Sequence, residues 1–224
     1  MQKFELFFFP MTCARVAMVA LEAVGVDYQA TIVDLFKGEQ REPAYRAIHP
    51  GGKVPALRIG DKLLTESAAI LLHLDALFPE ARLLPSSDPW LRTQAISDLV
   101  WCTATVHPAA RLLRVPMHYT VGDQDPVREK GREVVPPLLA RMEQAVSASG
   151  WWRGGDWSVI DPYVGWLFGN IASTGFDMSA YPALCAHAER VAAHPAYERM
   201  YQREGEAMAA VGLSFPPGVS RHRP

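Results

Sequence analysis

The sequence lacks the cysteine pattern of a disulfide framework or a zinc site. Among its 224 residues only Cys13, Cys102 and Cys185 are cysteines, and they are far apart with no Cys-x-x-Cys or Cys/His ligand spacing. Small secreted domains use paired cysteines, and structural zinc sites use closely spaced ones. We therefore expect a protein of a reducing compartment that holds no metal.

The sequence also lacks an excess of charge and any long apolar run. Its 22 basic residues nearly balance 24 acidic ones, for a net charge of -2, which argues against nucleic acid or an anionic membrane as a partner. No stretch reaches the roughly 18 uncharged apolar residues of a membrane span. Glu5 and Arg15 interrupt the apolar N-terminus, which argues against a secretion signal. We expect a globular cytoplasmic protein.

The first 79 residues have the pattern of an α/β domain. An apolar run at 3–9, a helical run at 13–24 ending at Gly25, and a β-branched run at 28–33 predict a β-α-β unit with parallel strands. A short helix near 44–48 and a hairpin turning at Gly60-Asp61 follow. Thr65 is in position to cap a helix at 66–78.

The rest of the chain has the pattern of an all-helical domain. Residues 80–89 have the composition of a linker, residues 90–215 show no strand pattern, and 216–224 is predicted as a loose tail. Helices are predicted at 90–115, 126–148, 158–174, 181–193 and 196–211. Ser158-x-x-Asp161 is a capping pair at a helix start, and the Gly165-x-x-x-Gly169 spacing predicts close helix packing.

Four segments together resemble the glutathione S-transferase family. They are HPGGKVPAL at 49–57, TESAAI at 65–70, Ser158-x-x-Asp161, and AHPAYERM at 193–200, in the order and spacing of that family. The resemblance implies a thioredoxin-like βαβ-α-ββα domain at 1–79, an all-α domain at 90–215, glutathione as co-substrate, and a homodimer.

The resemblance also assigns residues to the glutathione site. Val54-Pro55 is implied to be a cis peptide whose Val54 N–H and C=O bond the cysteinyl backbone of glutathione, although an ordinary trans proline fits the local sequence too. Ser67 is implied to bind the γ-glutamyl carboxylate and Glu66 the ammonium, at a helix N-terminus. Lys53 is placed to reach the glycyl carboxylate.

The family needs a group that stabilises the glutathione thiolate, and the sequence narrows the choice. The tyrosine-type classes carry Tyr-Phe-Pro where this chain has Phe8-Phe9-Pro10, so Phe8 stands in place of the tyrosine, and Met11 stands where the serine-type and omega-like classes carry their active residue. Cys13 matches the cysteine of the bacterial beta class, with Thr12 and backbone N–H groups of the turn as alternative donors. A thiol at a helix N-terminus is expected to have a lowered pKa. As a structural alternative, Cys13 is a small buried apolar residue.

His107 matches a beta-class histidine that faces the glutathione sulfur, although a histidine on an amphipathic helix also suits a structural role. Gly38 departs from that class, which tends to have a lysine there. For the electrophile pocket the resemblance suggests apolar, aromatic and basic side chains: Met11, Trp101, Arg111, Met117 and Phe168.

Three functions follow from this reading. The first is conjugation of the glutathione thiolate to a hydrophobic electrophile. The second uses Cys13 as a single nucleophilic thiol for disulfide reduction or deglutathionylation. The third is a non-catalytic binding or assembly module, since the fold alone does not fix a function.

Overall fold

The computed structural model describes residues 3–85 and 88–215. They form two compact units, one of residues 3–83 with 194–215, and one of the described residues from 84 to 193. The tail predicted at 216–224, and Ser86 and Ser87 of the predicted linker, lie outside the described residues.

The elements follow the predicted order of an α/β region and then a helical region. The strands and helices, in chain order, are β1 Phe4–Phe8, α1 Ala14–Val24, β2 Tyr28–Ile32, α2 Pro43–Ile48, β3 Ala56–Ile59, β4 Lys62–Thr65, α3 Ser67–Leu77, α4 Pro89–Trp101, α5 His107–Arg114, α6 Asp125–Ser147, α7 Ile160–Ala172, α8 Pro182–Ala192 and α9 Pro195–Ala210. The thioredoxin-like fold class is confirmed.

The first unit is built on a four-stranded mixed sheet of strand order β2-β1-β3-β4. β1 is parallel to β2 and antiparallel to β3, and β3 and β4 form an antiparallel hairpin. Every residue of β1 is buried, because this apolar strand lies inside the sheet. Helix α1 packs against α3 and α9 and ends at Gly25, whose φ of 72° suits a left-handed C-terminal cap.

Helix α9 lies in the first of the two compact units. The sequence assigned it to the helical domain at 90–215, whereas in the structure it packs on α1 and β2 and belongs to the first unit. The cause is the composition of α1, which buries two charged residues, Arg15 and Glu22. Both find their partners on α9, where Glu204 pairs with Arg15, and Arg203 pairs with Glu22.

Two local predictions were wrong. Thr65 ends β4 instead of capping a helix, and α3 starts at Ser67 after Glu66, which makes no side-chain cap. The helix predicted at 90–115 is divided into α4, a π-helical segment at Cys102–Val106, and α5. Pro108 lacks the N–H that a continuous helix would use at this point, which accounts for the change in winding.

The second unit is helical and contains the predicted capping pair. Asp161 accepts hydrogen bonds from the Ser158 N–H at 2.8 Å and the Ser158 hydroxyl at 3.0 Å, just where α7 begins. Gly165 of α7 faces Val191 of α8, and a Cβ built at Gly165 would lie 3.4 Å from it, an ordinary van der Waals contact, so the close packing predicted from the glycine spacing does not depend on Gly165. No helix of the described residues is long and apolar enough to cross a membrane.

Candidate functional site

The sheet register gathers most of the predicted site residues of the first unit at one edge. Phe7 of β1 lies opposite Ala56 of β3, and Ala56 lies opposite Thr65 of β4. The end of β1, the start of β3 and the end of β4 therefore coincide. The turn at 10–13, the Val54–Pro55 peptide, and the Glu66–Ser67 step all extend from this edge.

The segment before β3 presents an unpaired peptide. The Val54–Pro55 bond is cis. Within the described residues no group pairs with the Val54 N–H or C=O. The segment is held from behind, because the Tyr45 hydroxyl donates to the Lys53 carbonyl at 2.7 Å and Val54 packs on the apolar cluster that contains Tyr45. A fixed segment with free peptide groups can pair with an extended backbone, as a sheet edge does.

The start of α3 presents two polar side chains beside this peptide. Glu66 is exposed, with φ 68° and ψ 123°, and Ser67 is 7% exposed. In the part of the chain that the structure describes, neither side chain makes a hydrogen bond or an ion pair. The first N–H groups of the helix have no intrahelical partner, so a negatively charged group is favoured here. The exposed Lys53 ammonium likewise has no acidic partner among the described residues.

The turn at 10–13 places Cys13 at the start of α1, partly exposed. Met11 adopts a φ of 61°, which is uncommon for a residue with a side chain of this size. The Thr12 hydroxyl donates to the Phe9 carbonyl at 2.7 Å. Because a hydroxyl has one proton to donate, this bond disfavours Thr12 as a donor to a bound sulfur.

A buried ion pair lies directly behind this turn. Arg15 donates to Glu204 through Nη2 at 2.6 Å and through Nε at 2.9 Å, and the Met11 N–H donates to the other carboxylate oxygen at 2.9 Å. Burial alone lowers the pKa of Arg15, but the attraction of Glu204 outweighs it and the pKa is raised. Breaking such a pair by removing one partner costs about 3–5 kcal/mol.

His107 lies in the helical unit, against two aromatic side chains of α7. Its Nδ1 is 3.2 Å from the Tyr163 hydroxyl, and its ring packs edge-to-face on Trp166 with a centroid distance of 4.8 Å. Burial lowers the pKa of His107 to about 4, and the nearby Arg111 contributes to the same shift. The imidazole is therefore neutral at pH 7.

Four residues of the helical unit were predicted to line the electrophile pocket, and each has different surroundings. Trp101 stacks on Trp152, with Arg141 over its ring at 4.0 Å. Met117 is 51% exposed and Phe168 only 8% exposed. Arg111 contacts His118, with Nη2 to Nδ1 at 2.6 Å. Their assignment to an electrophile pocket stays a prediction.

Tyr45 and Glu204 support the site from behind, and the sequence did not predict either of them. Tyr45 gave no distinctive signal. The signal for Glu204 was indirect: Arg15 lies within the apolar run ARVAMVALEAV, and a buried arginine needs a carboxylate partner. Nothing local identified which of the 24 acidic residues would supply it.

Comparison with known proteins decides the family. Residues 10–77 match the family model described as "Glutathione S-transferase, N-terminal domain". Over 193 residues the chain is 34% identical to maleylacetoacetate isomerase of Pseudomonas aeruginosa, covering 82% of this chain and 88% of that protein. The chain belongs to the glutathione S-transferase family.

Solved structures of this transferase family have the same fold. A sphingomonad glutathione S-transferase in complex with glutathione is similar with a TM-score of 0.79 and 32% identity, over 90% of this chain and 98% of that one. A beta-class glutathione S-transferase of Sphingomonas chungbukensis is similar with a TM-score of 0.79 and 30% identity, over the same shares, 90% and 98%. Both align with nearly the whole transferase described here.

Proposed function

We propose that this transferase binds glutathione along the sheet edge formed by the Val54 peptide, Glu66 and Ser67, and transfers its thiolate to an electrophile. One observation carries the proposal. Three kinds of group, a peptide, a hydroxyl and a carboxylate, lie at one edge of the sheet with no partner among residues 3–85 and 88–215, and Cys13 lies at the same edge.

Each end of glutathione has a complementary group at this edge. The cysteinyl backbone pairs with Val54 N–H and C=O as an added antiparallel strand would. The γ-glutamyl carboxylate accepts from the Ser67 hydroxyl and the N-terminal N–H groups of α3, and its ammonium pairs with Glu66. Lys53 is the candidate partner of the glycyl carboxylate. No metal ligand set is needed for any of these contacts.

The turn at 10–13 supplies the chemistry at sulfur. Cys13 is the first candidate for stabilising the thiolate, because it is partly exposed at the start of α1, whereas the Thr12 hydroxyl already donates to Phe9. The bound thiolate then forms a carbon–sulfur bond with the electrophile. Either a leaving group departs with the electron pair, or a double bond accepts it and takes up a proton. His107 stays a candidate that would act as a neutral imidazole.

A second candidate reaction is glutathione-dependent isomerisation of a cis double bond. It is favoured by the 34% identity to a maleylacetoacetate isomerase over 82% of the chain. Here the thiolate adds to the double bond, rotation follows about the resulting single bond, and the same thiolate is expelled. The two reactions share every step up to formation of the carbon–sulfur bond. In conjugation glutathione stays bonded to the product, whereas in isomerisation the glutathione thiolate is released again.

Assays on three substrates distinguish these reactions from disulfide exchange. Wild-type protein is given glutathione with 1-chloro-2,4-dinitrobenzene, with maleylacetoacetate, and with a glutathionylated peptide. Cys13→Ala is compared with Cys185→Ala, a matched control at the other partly exposed thiol. The proposal expects turnover of the aryl chloride or the alkene, reduced only by Cys13→Ala. Turnover of the peptide alone would instead establish the disulfide exchange, and no turnover of any substrate would favour a binding module.

We also propose that the protein is a homodimer, that it acts in the cytoplasm, and that its cellular role is the detoxification of electrophiles. The dimer is implied by the resemblance to the family, and the exposed Phe36 and Trp90, at 89% and 66%, are individual apolar side chains of a kind that monomers also have. Sedimentation velocity gives the mass of the protein in solution and tests the proposed dimer directly.

A further inference from the structure

A hydrogen bond to one carboxylate of helix α9 connects the turn that carries Cys13 with a distant part of the chain. Met11 and Glu204 are 193 residues apart in sequence, yet the Met11 N–H lies 2.9 Å from Glu204 Oε1. Glu204 is fully buried in α9, in the same compact unit as the turn. The carboxylate therefore contacts the backbone of the turn itself, two residues before Cys13.

Met11 needs support of this kind. Its φ of 61° is in the left-handed region, which a residue with a long side chain rarely adopts unless its surroundings impose it. A hydrogen bond from the backbone N–H to a charged acceptor is short and strong, and it fixes the orientation of the peptide. The conformation of Met11 in turn sets the direction in which the chain enters α1 and places Thr12 and Cys13.

The carboxylate is itself held in place by Arg15. The guanidinium donates to both oxygens, with Nε at 3.1 Å from Oε1 and Nη2 at 2.6 Å from Oε2. Arg15 lies in the first turn of α1, on the helix that Cys13 precedes. The pair thus connects the turn, the start of α1 and α9 in one buried group of contacts.

We infer that Glu204 is a positioning residue for the sulfur chemistry, which acts through the Met11 N–H to fix the turn that presents Cys13. This inference rests on the proposed function of Cys13. Glu204 makes no contact with glutathione in this account. It contributes by holding the backbone in one conformation, so its loss affects turnover at saturating glutathione more than it affects the affinity for glutathione.

A pair of double variants separates the hydrogen bond from the ion pair. Arg15→Met with Glu204→Gln removes both charges and leaves an amide oxygen that can accept from the Met11 N–H. Arg15→Met with Glu204→Met removes both charges and the acceptor. Replacing a buried ion pair as a whole is often tolerated, whereas the single variants leave a buried charge without its partner.

Turnover, glutathione affinity and Cys13 reactivity are measured for both double variants. Reactivity is the rate of alkylation by iodoacetamide, followed by peptide mass spectrometry with Cys185 as the internal reference. The Arg15→Met, Glu204→Gln protein is expected to keep turnover and Cys13 alkylation within about threefold of wild type. The Arg15→Met, Glu204→Met protein is expected to lose about tenfold or more in turnover and to change its Cys13 alkylation rate, with its dissociation constant for glutathione within about threefold.

A matched control covers general destabilisation. Glu22 is also a buried carboxylate of α1 that pairs with α9, through Arg203, but it lies at the opposite end of the helix from Cys13. Glu22→Gln is expected to lower the free energy of unfolding without changing Cys13 alkylation. Equal turnover in the two double variants, or the same loss in Glu22→Gln, would overturn the inference.

Hydrogen–deuterium exchange of the wild-type protein tests the Met11–Glu204 hydrogen bond without any substitution. The Met11 amide is expected to exchange slowly with deuterium, at least about a hundredfold slower than an unprotected loop amide. Exchange at the unprotected rate would overturn the inference even if the variants failed to fold. Failure of wild-type protein to bind glutathione would instead contradict the proposed function and leave the Met11–Glu204 contact as a structural one.

Discussion

Ala56 lies opposite Thr65 in the β3–β4 hairpin, and this pairing puts the Val54–Pro55 peptide and the Glu66–Ser67 step at one end of it. The groups that we assign to glutathione therefore come from two segments joined by a two-residue turn at Gly60 and Asp61. A short hairpin keeps both segments in a fixed register. The proposed site is accordingly a rigid part of the fold.

Glycine at position 66 is expected to be more stable than alanine. Glu66 has φ 68° and ψ 123°, a backbone conformation that costs a residue with a Cβ about 1–3 kcal/mol. Urea unfolding should show Glu66→Gly more stable than Glu66→Ala by about 1 kcal/mol. At the exposed Glu80, in a short 3-10 helix, the same two substitutions should rank in the opposite order. Alanine ranking above glycine at position 66 would contradict the strained backbone.

Asp161 is expected to be a main source of stability in the helical unit. Its buried carboxylate accepts from the Trp152 N–H at 2.7 Å, from Ser158 twice, and contacts His187 Nε2 at 2.9 Å. Asn at this position replaces an acceptor oxygen by a donor, so Asp161→Asn should lose about 2–4 kcal/mol of unfolding free energy. Asp125→Asn, at an exposed helix start, should lose less than about 1 kcal/mol in the same urea titration.

Stability is expected to fall in acid through His107. Its pKa is about 4 in the folded protein and 6.5 without the burial, so the unfolded chain binds more protons between these values. The contribution of the neutral His107 to the free energy of unfolding is complete above about pH 6.5. It is lost as the pH falls towards 4, by on the order of 3 kcal/mol at most. His107→Gln removes the titrating group, and its unfolding free energy should depend less on pH across this window. Parallel pH profiles for the two proteins would rule out the buried, neutral imidazole.

The sequence predicted the elements whose cause is local. The Ser158/Asp161 pair, the hairpin turn and the alternation of the first three elements depend on neighbouring residues, and the structure has them all. The partners of Arg15 depend instead on which distant helix packs against α1, which no local pattern encodes. For the same reason no local pattern indicated that α9 packs within the first compact unit. The role of Thr12 could not be predicted either. Its hydroxyl donates to the Phe9 carbonyl in the same turn, and the sequence did not indicate that this bond forms.

The central claim is that the sheet edge binds glutathione through Ser67, and calorimetric titration of glutathione tests it most directly. Ser67→Ala is titrated beside wild type, and Ser97→Ala, at an exposed serine of α4, serves as the matched control. The account predicts micromolar to low millimolar binding that Ser67→Ala weakens about tenfold, or about 1.4 kcal/mol, and that Ser97→Ala leaves unchanged. Wild-type protein that gives no heat and no signal in a second binding assay, or an unchanged affinity in Ser67→Ala, would contradict it.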